Sequence, residues 1–225
     1  MKITAIIVAG GSGSRMGMDK NKAFLPLLGE PIIKHTVNTF SQIDSISKII
    51  IVTRKEDLKE CEKIFEGSGL NLEITEGGAS RQESVYNGLL KTNEGICLIH
   101  DAARALIKKE EIETVIENVK KYGAAAVGVL VVDTLKRVDK DGFITETIDR
   151  DGVFRIQTPQ GFMTENIKNA HNRAKDDGFS ATDDCGLYEK YIGKVRVING
   201  KDSNIKITYP EDLKRAEGIL MRKRG

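Results

Sequence analysis

The first 22 residues constrain the fold of this chain most. An apolar run from Ile3 to Val8 leads directly into Ala9-Gly10-Gly11-Ser12-Gly13-Ser14-Arg15-Met16-Gly17, and Lys22 follows shortly after. A short aliphatic and β-branched run bounded by glycines is typical of a buried parallel strand, and the glycines exclude a helix directly after it. Ligands of open α/β sheets bind at the carboxyl ends of such strands. The sequence therefore predicts an α/β sheet with its binding site at this loop.

The loop has the chemistry of a phosphate site. Consecutive glycines let the backbone point several N–H groups at one centre, and Arg15 and Lys22 add cationic donors. A P-loop would end in Gly-Lys-Ser/Thr, where this chain has Gly13-Ser14-Arg15. A dinucleotide fingerprint starting at Gly11 would need glycine or alanine in place of Met16. The loop thus predicts a polyphosphate site of another kind.

Composition limits the class of protein. The 225 residues, 40% hydrophobic and 30% charged, suit a single α/β domain over residues 1–225. The net charge of +2 is too small to indicate a nucleic-acid partner. No apolar stretch approaches the about 20 residues of a membrane span. Cys61, Cys97 and Cys185 lack metal-ligand spacing and are odd in number, which indicates reduced thiols. We therefore expect a cytoplasmic protein without disulfides or zinc.

Apolar runs and helical patterns alternate along the chain. Helices are predicted to open at Pro31, at Thr53 and Ser80 by capping-box patterns with Glu56 and Glu83, and near Ile112, Thr164, Asp183 and Pro210. Strands are predicted at 48–52, 70–75, 96–100, 124–131 and 195–198, with an extended piece at 204–208. Such alternation indicates a mostly parallel, doubly wound sheet with helices on both faces.

A β-arm interrupts this alternation at about residues 133–155. Two strand-like runs flank Asp139-Lys140-Asp141-Gly142, whose Asp-Gly pair favours a hairpin turn. An isolated two-stranded ribbon is marginally stable in water, so the arm needs a packing partner. A second copy of the chain would supply one, and we expect a homodimer.

The residues with chemical potential lie on predicted loops and strand ends. They are rich in cations and contain no nucleophile–base pair, as phosphoryl or nucleotidyl transfer requires. His35 and His171 fall in helical patterns and are expected at the surface or half-buried. The set consists of Arg15, Lys22, Asp101, Arg104, Thr134, Arg150 and Lys206.

Motifs in a fixed order along nearly the whole chain resemble one family, the 2-C-methyl-D-erythritol 4-phosphate cytidylyltransferases of non-mevalonate isoprenoid (isoprene) biosynthesis. Each motif is weakly specific, but the ordered set is strongly specific. The motifs are the loop from Ala9 to Met16, Lys22, Gly77-Gly78 with Arg81 and Ser84, His100-Asp101-Ala102-Ala103-Arg104, Asp133-Thr134, Asp149-Arg150, Gln157-Thr158-Pro159-Gln160, Thr182-Asp183-Asp184, Asn204-Ile205-Lys206-Ile207-Thr208 and Pro210-Glu211-Asp212.

The resemblance implies a Rossmann-like nucleotidyltransferase whose protruding β-arm forms a homodimer. It implies CTP, methylerythritol phosphate and Mg²⁺ or another divalent cation, with Asp101 at the metal. Catalytic roles fall to Arg15, Lys22, Lys206 and Arg150. Nucleotide contacts fall to Ala9, Gly10, Gly11, Ser12, Gly13, Gly78, Ser84 and Asp101. Substrate contacts fall to Arg104 and Thr158, with Thr134 and Arg150 supplied by the second subunit.

Two departures and two alternatives accompany the resemblance. Ala105 replaces the proline usual after the arginine of the His-Asp-Ala-Ala-Arg motif, and Ser203 stands where many members carry an acidic residue, with Asp202 as a substitute carboxylate. The nearest alternative activity is that of a ribitol-5-phosphate cytidylyltransferase. An alternative of another class is a nucleotide-binding regulatory module without turnover. The presence of Arg15, Lys22 and Lys206 together favours an enzyme.

Overall fold

A seven-stranded sheet forms the centre of the molecule. The structure, a computed structural model, describes residues 1–11, 21–92 and 94–222. The strand order in the sheet is β11-β7-β10-β6-β1-β4-β5. The strands in chain order are β1 (Ile3–Ala9), β2 (Pro26–Leu27), β3 (Glu30–Pro31), β4 (Ile46–Thr53), β5 (Leu72–Glu76), β6 (Ile96–Asp101), β7 (Ala124–Leu130), β8 (Leu135–Val138), β9 (Ile144–Ile148), β10 (Phe154–Met163) and β11 (Arg196–Asn199).

Helices connect most of these strands. The helices are α1 (Ile32–Ser41), α2 (Leu58–Phe65), α3 (Arg81–Leu90), α4 (Lys109–Tyr122), α5 (Thr164–Asp176), α6 (Asp184–Tyr191) and α7 (Pro210–Arg222), with short 3₁₀ helices at Lys22–Phe24 and Lys55–Asp57. No helix in the described part of the chain is long and apolar enough to cross a membrane.

The sheet is mostly parallel, as predicted. β1 pairs in parallel with β4 and β6, β4 with β5, and β7 with β11. β10 is the exception, because it lies antiparallel between β6 and β7. This strand brings the Gln157-Thr158-Pro159-Gln160 motif into the sheet beside the end of β6.

Two helical layers cover the sheet, because alternate residues of each strand point to opposite faces. Ile7 of β1 packs in one apolar cluster with Val37 of α1 and Val115 of α4. Ile6, its neighbour, packs in a second cluster with Val85 of α3 and Ile167 of α5. The prediction of helices on both faces is therefore confirmed.

The β-arm is the two-stranded sheet of β8 and β9. The backbone turns at Gly142, whose φ is +91°, a left-handed conformation suited to glycine. Pairing with the main sheet resumes where Phe154 of β10 lies opposite Leu130 of β7. Val138, Phe143 and Ile144 expose 51%, 70% and 63% of their surface, so the arm presents apolar side chains to its surroundings.

Of the two predicted capping boxes, one is found in part and one is wrong. Ser80 is the N-cap of α3 and accepts the Glu83 N–H, while the Glu83 carboxylate accepts the Ala79 N–H. Thr53 caps no helix, because it is the buried last residue of β4 and donates its hydroxyl to the Ala9 carbonyl. The next α-helix begins five residues after Thr53, at Leu58, and the short 3₁₀ helix Lys55–Asp57 precedes it.

Candidate active site

A cleft of about 290 Å³ opens at the carboxyl ends of β1 and β6, the two central parallel strands. One wall is backbone at Gly10 and Gly11, with Lys22 beside it, and another is the turn at Gly78. Asp101 and Lys206 also line the cleft. The structure thus brings together residues as far apart in the sequence as Gly10 and Lys206, at the sheet edge predicted from the sequence.

Asp101 is a buried carboxylate surrounded by three cations. Its Oδ2 lies 2.9 Å from Lys206 Nζ and 3.6 Å from Arg104 Nε, and its Oδ1 lies 3.5 Å from Arg81 Nε. Burial by itself would raise the pKa of Asp101, but Lys206 and Arg81 outweigh it and lower that pKa well below its usual range. Asp101 is therefore negatively charged at neutral pH.

His100 and Thr158 support Asp101 from inside the sheet. The Asp101 N–H donates to Thr158 Oγ1 over 3.1 Å. His100 Nε2 lies 3.3 Å from the Arg104 carbonyl, which can only accept, so Nε2 carries the proton and Nδ1 accepts from the Thr158 hydroxyl 3.0 Å away. The Thr158 hydroxyl is buried and has both partners inside the protein, and its predicted contact with substrate stays a prediction.

The Gly77-Gly78 turn is shaped by Ser84, at the start of α3. Ser84 Oγ accepts the Gly78 N–H over 3.1 Å and donates to the Ser80 carbonyl over 2.9 Å. A Cβ at Gly77 would lie 2.7 Å from Ser84 Oγ, and one at Gly78 would collide with the Glu83 side chain. A side chain at either position would force its neighbours to shift, and glycine leaves backbone on the cleft wall at Gly78.

Lys22 lies beside the first glycines of the loop. A Cβ at Gly11 would be 3.6 Å from Lys22 Cε, so the lysine stem passes close to this backbone. The predictions for Ser12, Gly13 and Arg15 lie outside the described residues.

Comparison with known proteins identifies the family. The family model described as 2-C-methyl-D-erythritol 4-phosphate cytidylyltransferase matches residues 3–222. The chain belongs to this cytidylyltransferase family. It is 43% identical to the enzyme of that name from Caldanaerobacter subterraneus subsp. tengcongensis, over 98% of this chain and 99% of the relative. It is also 43% identical to that from Clostridium novyi, over 97% of this chain and 96% of the relative.

Solved structures of cytidylyltransferases in the family share the fold. The 4-diphosphocytidyl-2C-methyl-D-erythritol synthase of Anaerococcus prevotii is 32% identical with a TM-score of 0.85, covering 97% of this chain and 98% of that one. The 2-C-methyl-D-erythritol 4-phosphate cytidylyltransferase of Thermus thermophilus is 28% identical with a TM-score of 0.83 and the same coverage. The predicted nucleotidyltransferase class and its α/β fold are confirmed.

The cytidylyltransferase carries Thr134 and Arg150 at the base of the β-arm. Both are exposed, and neither is among the residues that line the cleft. The Arg150 guanidinium donates to the Val132 carbonyl across the base of the arm. Arg104, in contrast, is largely buried beside Asp101 and donates to the Asn204 carbonyl over 2.8 Å. Arg104 therefore contacts the cleft residue Asp101, whereas the two arm residues do not line the cleft of this chain.

Sequence reasoning assigned no role to Arg81, which the cytidylyltransferase places between two buried carboxylates. Arg81 Nη1 lies 2.8 Å from Asp184 Oδ2, and His171 Nε2 lies 3.2 Å from Asp184 Oδ1. The expectation of a surface or half-buried His171 is wrong, because Asp184 and the packing of α5 hold it 3% exposed. The pair of adjacent acidic residues Asp183-Asp184 was the sequence signal for a partner of Arg81. Asp183 accepts the Gly186 N–H as the N-cap of α6, so only Asp184 is available to pair with Arg81.

Asp101 is the carboxylate at the cleft whose chemistry suits a magnesium ion that is also bound by phosphates. No group of three or more His, Cys, Asp or Glu side chains in the described ranges could hold a metal by itself. Mg²⁺ is usually bound through one or two carboxylates together with phosphates, and the ionised Asp101 supplies one carboxylate. Asp202, the substitute named from the sequence, is paired with Arg155 at 2.5 Å and is not among the residues lining the cleft.

Proposed function

We propose that the cleft transfers CMP from CTP to 2-C-methyl-D-erythritol 4-phosphate, giving 4-diphosphocytidyl-2-C-methyl-D-erythritol and pyrophosphate. The observation that carries this proposal is the ionised Asp101 with Lys206, facing a glycine backbone and Lys22 across one cleft. Backbone N–H groups and cations suit a triphosphate, and family membership supplies the identity of both substrates.

The reaction needs charge neutralisation more than proton transfer. A phosphate oxygen of the sugar substrate, already ionised at neutral pH, forms a bond to the α-phosphorus of CTP. The bond from that phosphorus to the bridging oxygen breaks, and its electron pair leaves with pyrophosphate. We assign Arg15, Lys22 and Lys206 to stabilising the negative charge around the phosphorus. Cations that are already in position do this without rearranging during the reaction.

We assign nucleotide recognition to the Gly77-Gly78 turn. Because glycine leaves the backbone exposed at Gly78, peptide groups there can approach the edge of a base and distinguish its donors from its acceptors. Ser84 holds this turn from below and lines the cleft. This arrangement favours a pyrimidine of fixed hydrogen-bonding pattern, and the family makes it cytosine.

The site for the second substrate is completed by a homodimer. Arg104 would bind the methylerythritol phosphate from within the subunit, and Thr134 and Arg150 would reach it from the arm of the other subunit. The exposed apolar side chains of the arm support this, because an isolated hairpin with such a surface needs a partner. The guanidinium of Arg150 suits bidentate phosphate binding.

Asp101 would hold Mg²⁺ together with the triphosphate. When bound, the ion would neutralise phosphate oxygens and orient the leaving group. We also propose that the enzyme works in the cytoplasm. Cys61, Cys97 and Cys185 are free and buried, which agrees with a reducing compartment.

A parallel assay tests the function. Pyrophosphate release is measured with CTP and either methylerythritol phosphate or ribitol 5-phosphate, and then with UTP or ATP in place of CTP. We expect kcat/KM to be about tenfold or more higher for methylerythritol phosphate and for CTP, since a site built to hydrogen-bond one substrate rejects analogues that leave its groups unpaired. Preference for ribitol 5-phosphate would show that the enzyme has the alternative activity, that of a ribitol-5-phosphate cytidylyltransferase. Tight CTP binding without pyrophosphate release would indicate the regulatory module.

A further inference from the structure

Asn21 is a buried residue whose side-chain amide makes hydrogen bonds to three different residues. It is 1% exposed. Its Nδ2 donates to the Ala9 carbonyl over 2.5 Å and to Asp57 Oδ2 over 2.9 Å. Its Oδ1 accepts the Ala23 N–H over 3.0 Å. A buried amide with every group satisfied has one strongly preferred orientation.

These contacts join the two ends of the glycine loop. Ala9 is the last residue of β1, directly before Gly10, and Asn21 directly precedes Lys22. The bond to Ala9 therefore holds residue 21 beside the carboxyl end of β1. The bond from Ala23 makes Asn21 the N-cap of the 3₁₀ helix Lys22–Phe24. One side chain thus sets both the ends of the loop and the direction in which the Lys22 backbone leaves it.

Asp57 gives this junction a rigid third support. It is 6% exposed and lies in the connection between β4 and α2. Arg54 holds it with two bonds, Nε to Oδ2 over 2.6 Å and Nη2 to Oδ1 over 3.0 Å. A bidentate arginine fixes the plane of a carboxylate as well as its position. Asn21 is consequently bonded to the connection that follows β4 as well as to the end of β1.

We propose that Asn21, bonded to Ala9 and Asp57, is a positioning residue that holds Lys22 against the triphosphate site; we call this arrangement the Asn21 clasp. The proposal rests on the role assigned to Lys22 under the proposed function. Preorganisation explains why the clasp matters, because a displacement of about 1 Å in a catalytic group can lower the rate by about 10²-fold. Asn21 is joined to Lys22 by one peptide bond, so fixing Asn21 fixes the position from which the Lys22 backbone starts.

A double-mutant cycle separates positioning from simple stabilisation. Pyrophosphate release is measured for the wild type, Asn21→Ala, Lys22→Ala and the double variant. We expect Lys22→Ala to lower kcat by about 10²- to 10³-fold. We expect Asn21→Ala to lower kcat by about tenfold or more when Lys22 is present, and by less than about twofold when Lys22 is absent. Equal loss in both backgrounds would show that Asn21 only stabilises the fold and would overturn the clasp.

Asn21→Ser provides a second, milder variant. Serine is as good an N-cap as asparagine, so it can still accept the Ala23 N–H, but it is too short and lacks the amide donors for both Ala9 and Asp57. We expect it to lose kcat as Asn21→Ala does. Full activity of Asn21→Ser would show that capping alone positions Lys22, and it would also overturn the clasp. This variant keeps the test decisive if Asn21→Ala does not fold.

Asn71→Ala is the matched control. Asn71 also donates its amide to a backbone carbonyl, that of Ser47 over 2.6 Å, but it is exposed and precedes the amino end of β5, opposite the cleft. We expect it to retain wild-type kcat. Lys22→Ala protein with wild-type turnover would refute the role of Lys22 and the clasp with it. Wild-type protein that releases no pyrophosphate would refute the proposed function itself, so the three failures are distinguishable.

Discussion

At the scale of single residues, the cleft depends on buried charged groups. Burial disfavours the charged form of each group, and a neighbour of opposite charge restores it. Burial would lower the pKa of Arg81, but Asp184 and Asp101 outweigh it and raise that pKa above its usual range. For Asp184 the shift goes the other way. Burial would raise its pKa, but Arg81 and His171 outweigh burial and lower that pKa. Removing one partner of such a set leaves another charge buried, which costs more than the pair contributes. Arg81 therefore contributes to the lowered pKa of both carboxylates, together with Lys206 at Asp101 and His171 at Asp184.

His100 makes the protein sensitive to acid. Burial lowers its pKa to about 3, although the Asp101 charge opposes this. In the unfolded chain the pKa is about 6.5, so the unfolded state binds a proton that the folded state refuses. The contribution of neutral His100 is complete above about pH 6.5 and is lost as the pH falls toward 3, with a slope of up to about 1.4 kcal/mol per pH unit.

We predict that His100→Gln flattens this dependence, because glutamine cannot take up the proton. The measurement is the free energy of unfolding in urea at several pH values from neutral to acidic. His35→Gln, at the half-buried imidazole of α1 that bonds the Leu27 carbonyl, is the control. Identical acid slopes in wild type and His100→Gln would contradict the assignment, whatever the loss of stability at neutral pH.

At the scale of elements, α4 packs on the sheet through a glycine of β10. A Cβ at Gly161 would lie 2.7 Å from Val115 Cγ1 and 2.8 Å from Val119 Cγ2, both on α4. We predict that Gly161→Ala lowers the free energy of unfolding by about 1–3 kcal/mol, since overpacking forces the helix away from the strand. The urea midpoint measures it.

Gly218→Ala is the matched control for this packing. Gly218 lies in α7 with nothing within 4 Å of the added Cβ, so the same substitution should stabilise the helix by about 0.5–1 kcal/mol. If Gly161→Ala were neutral or stabilising as well, α4 would not be in tight contact with β10.

At the scale of the whole molecule, the arm residues do not line the cleft of their own chain, and the proposed homodimer would supply them from a second subunit. We predict that Lys22→Ala and Arg150→Ala proteins, each inactive alone, regain activity when unfolded and refolded together. In a mixed dimer, one site contains both substitutions and the other site contains neither. With random exchange, half of the dimers are mixed and about a quarter of all sites are intact.

Pyrophosphate release after joint refolding measures this recovery, with each variant refolded alone as control. Differently tagged chains that copurify would show that mixed dimers formed. Mixed dimers with activity no higher than the controls would mean that Arg150 acts within its own subunit or has no role in the reaction.

The sequence alone determined the features that are encoded locally. The alternation of apolar runs with helical patterns gave the mostly parallel sheet, because burial imposes a period that can be seen in neighbouring residues. The glycines after Ile3–Val8 and the Asp-Gly pair of the arm restrict the backbone at their own positions. The ordered motifs identified the family, and with it most residues of the cleft.

Only the tertiary structure decided the contacts that hold those residues in place. Asn21 and Asp57 are 36 residues apart and Arg81 and Asp184 are 103 apart, and no periodicity marks either pair. Thr53 has the sequence of a helix cap but ends a strand, because β1 supplies a carbonyl for its hydroxyl. A buried polar group bonds whichever complementary atom the packed chain brings to it, and local sequence does not contain that partner.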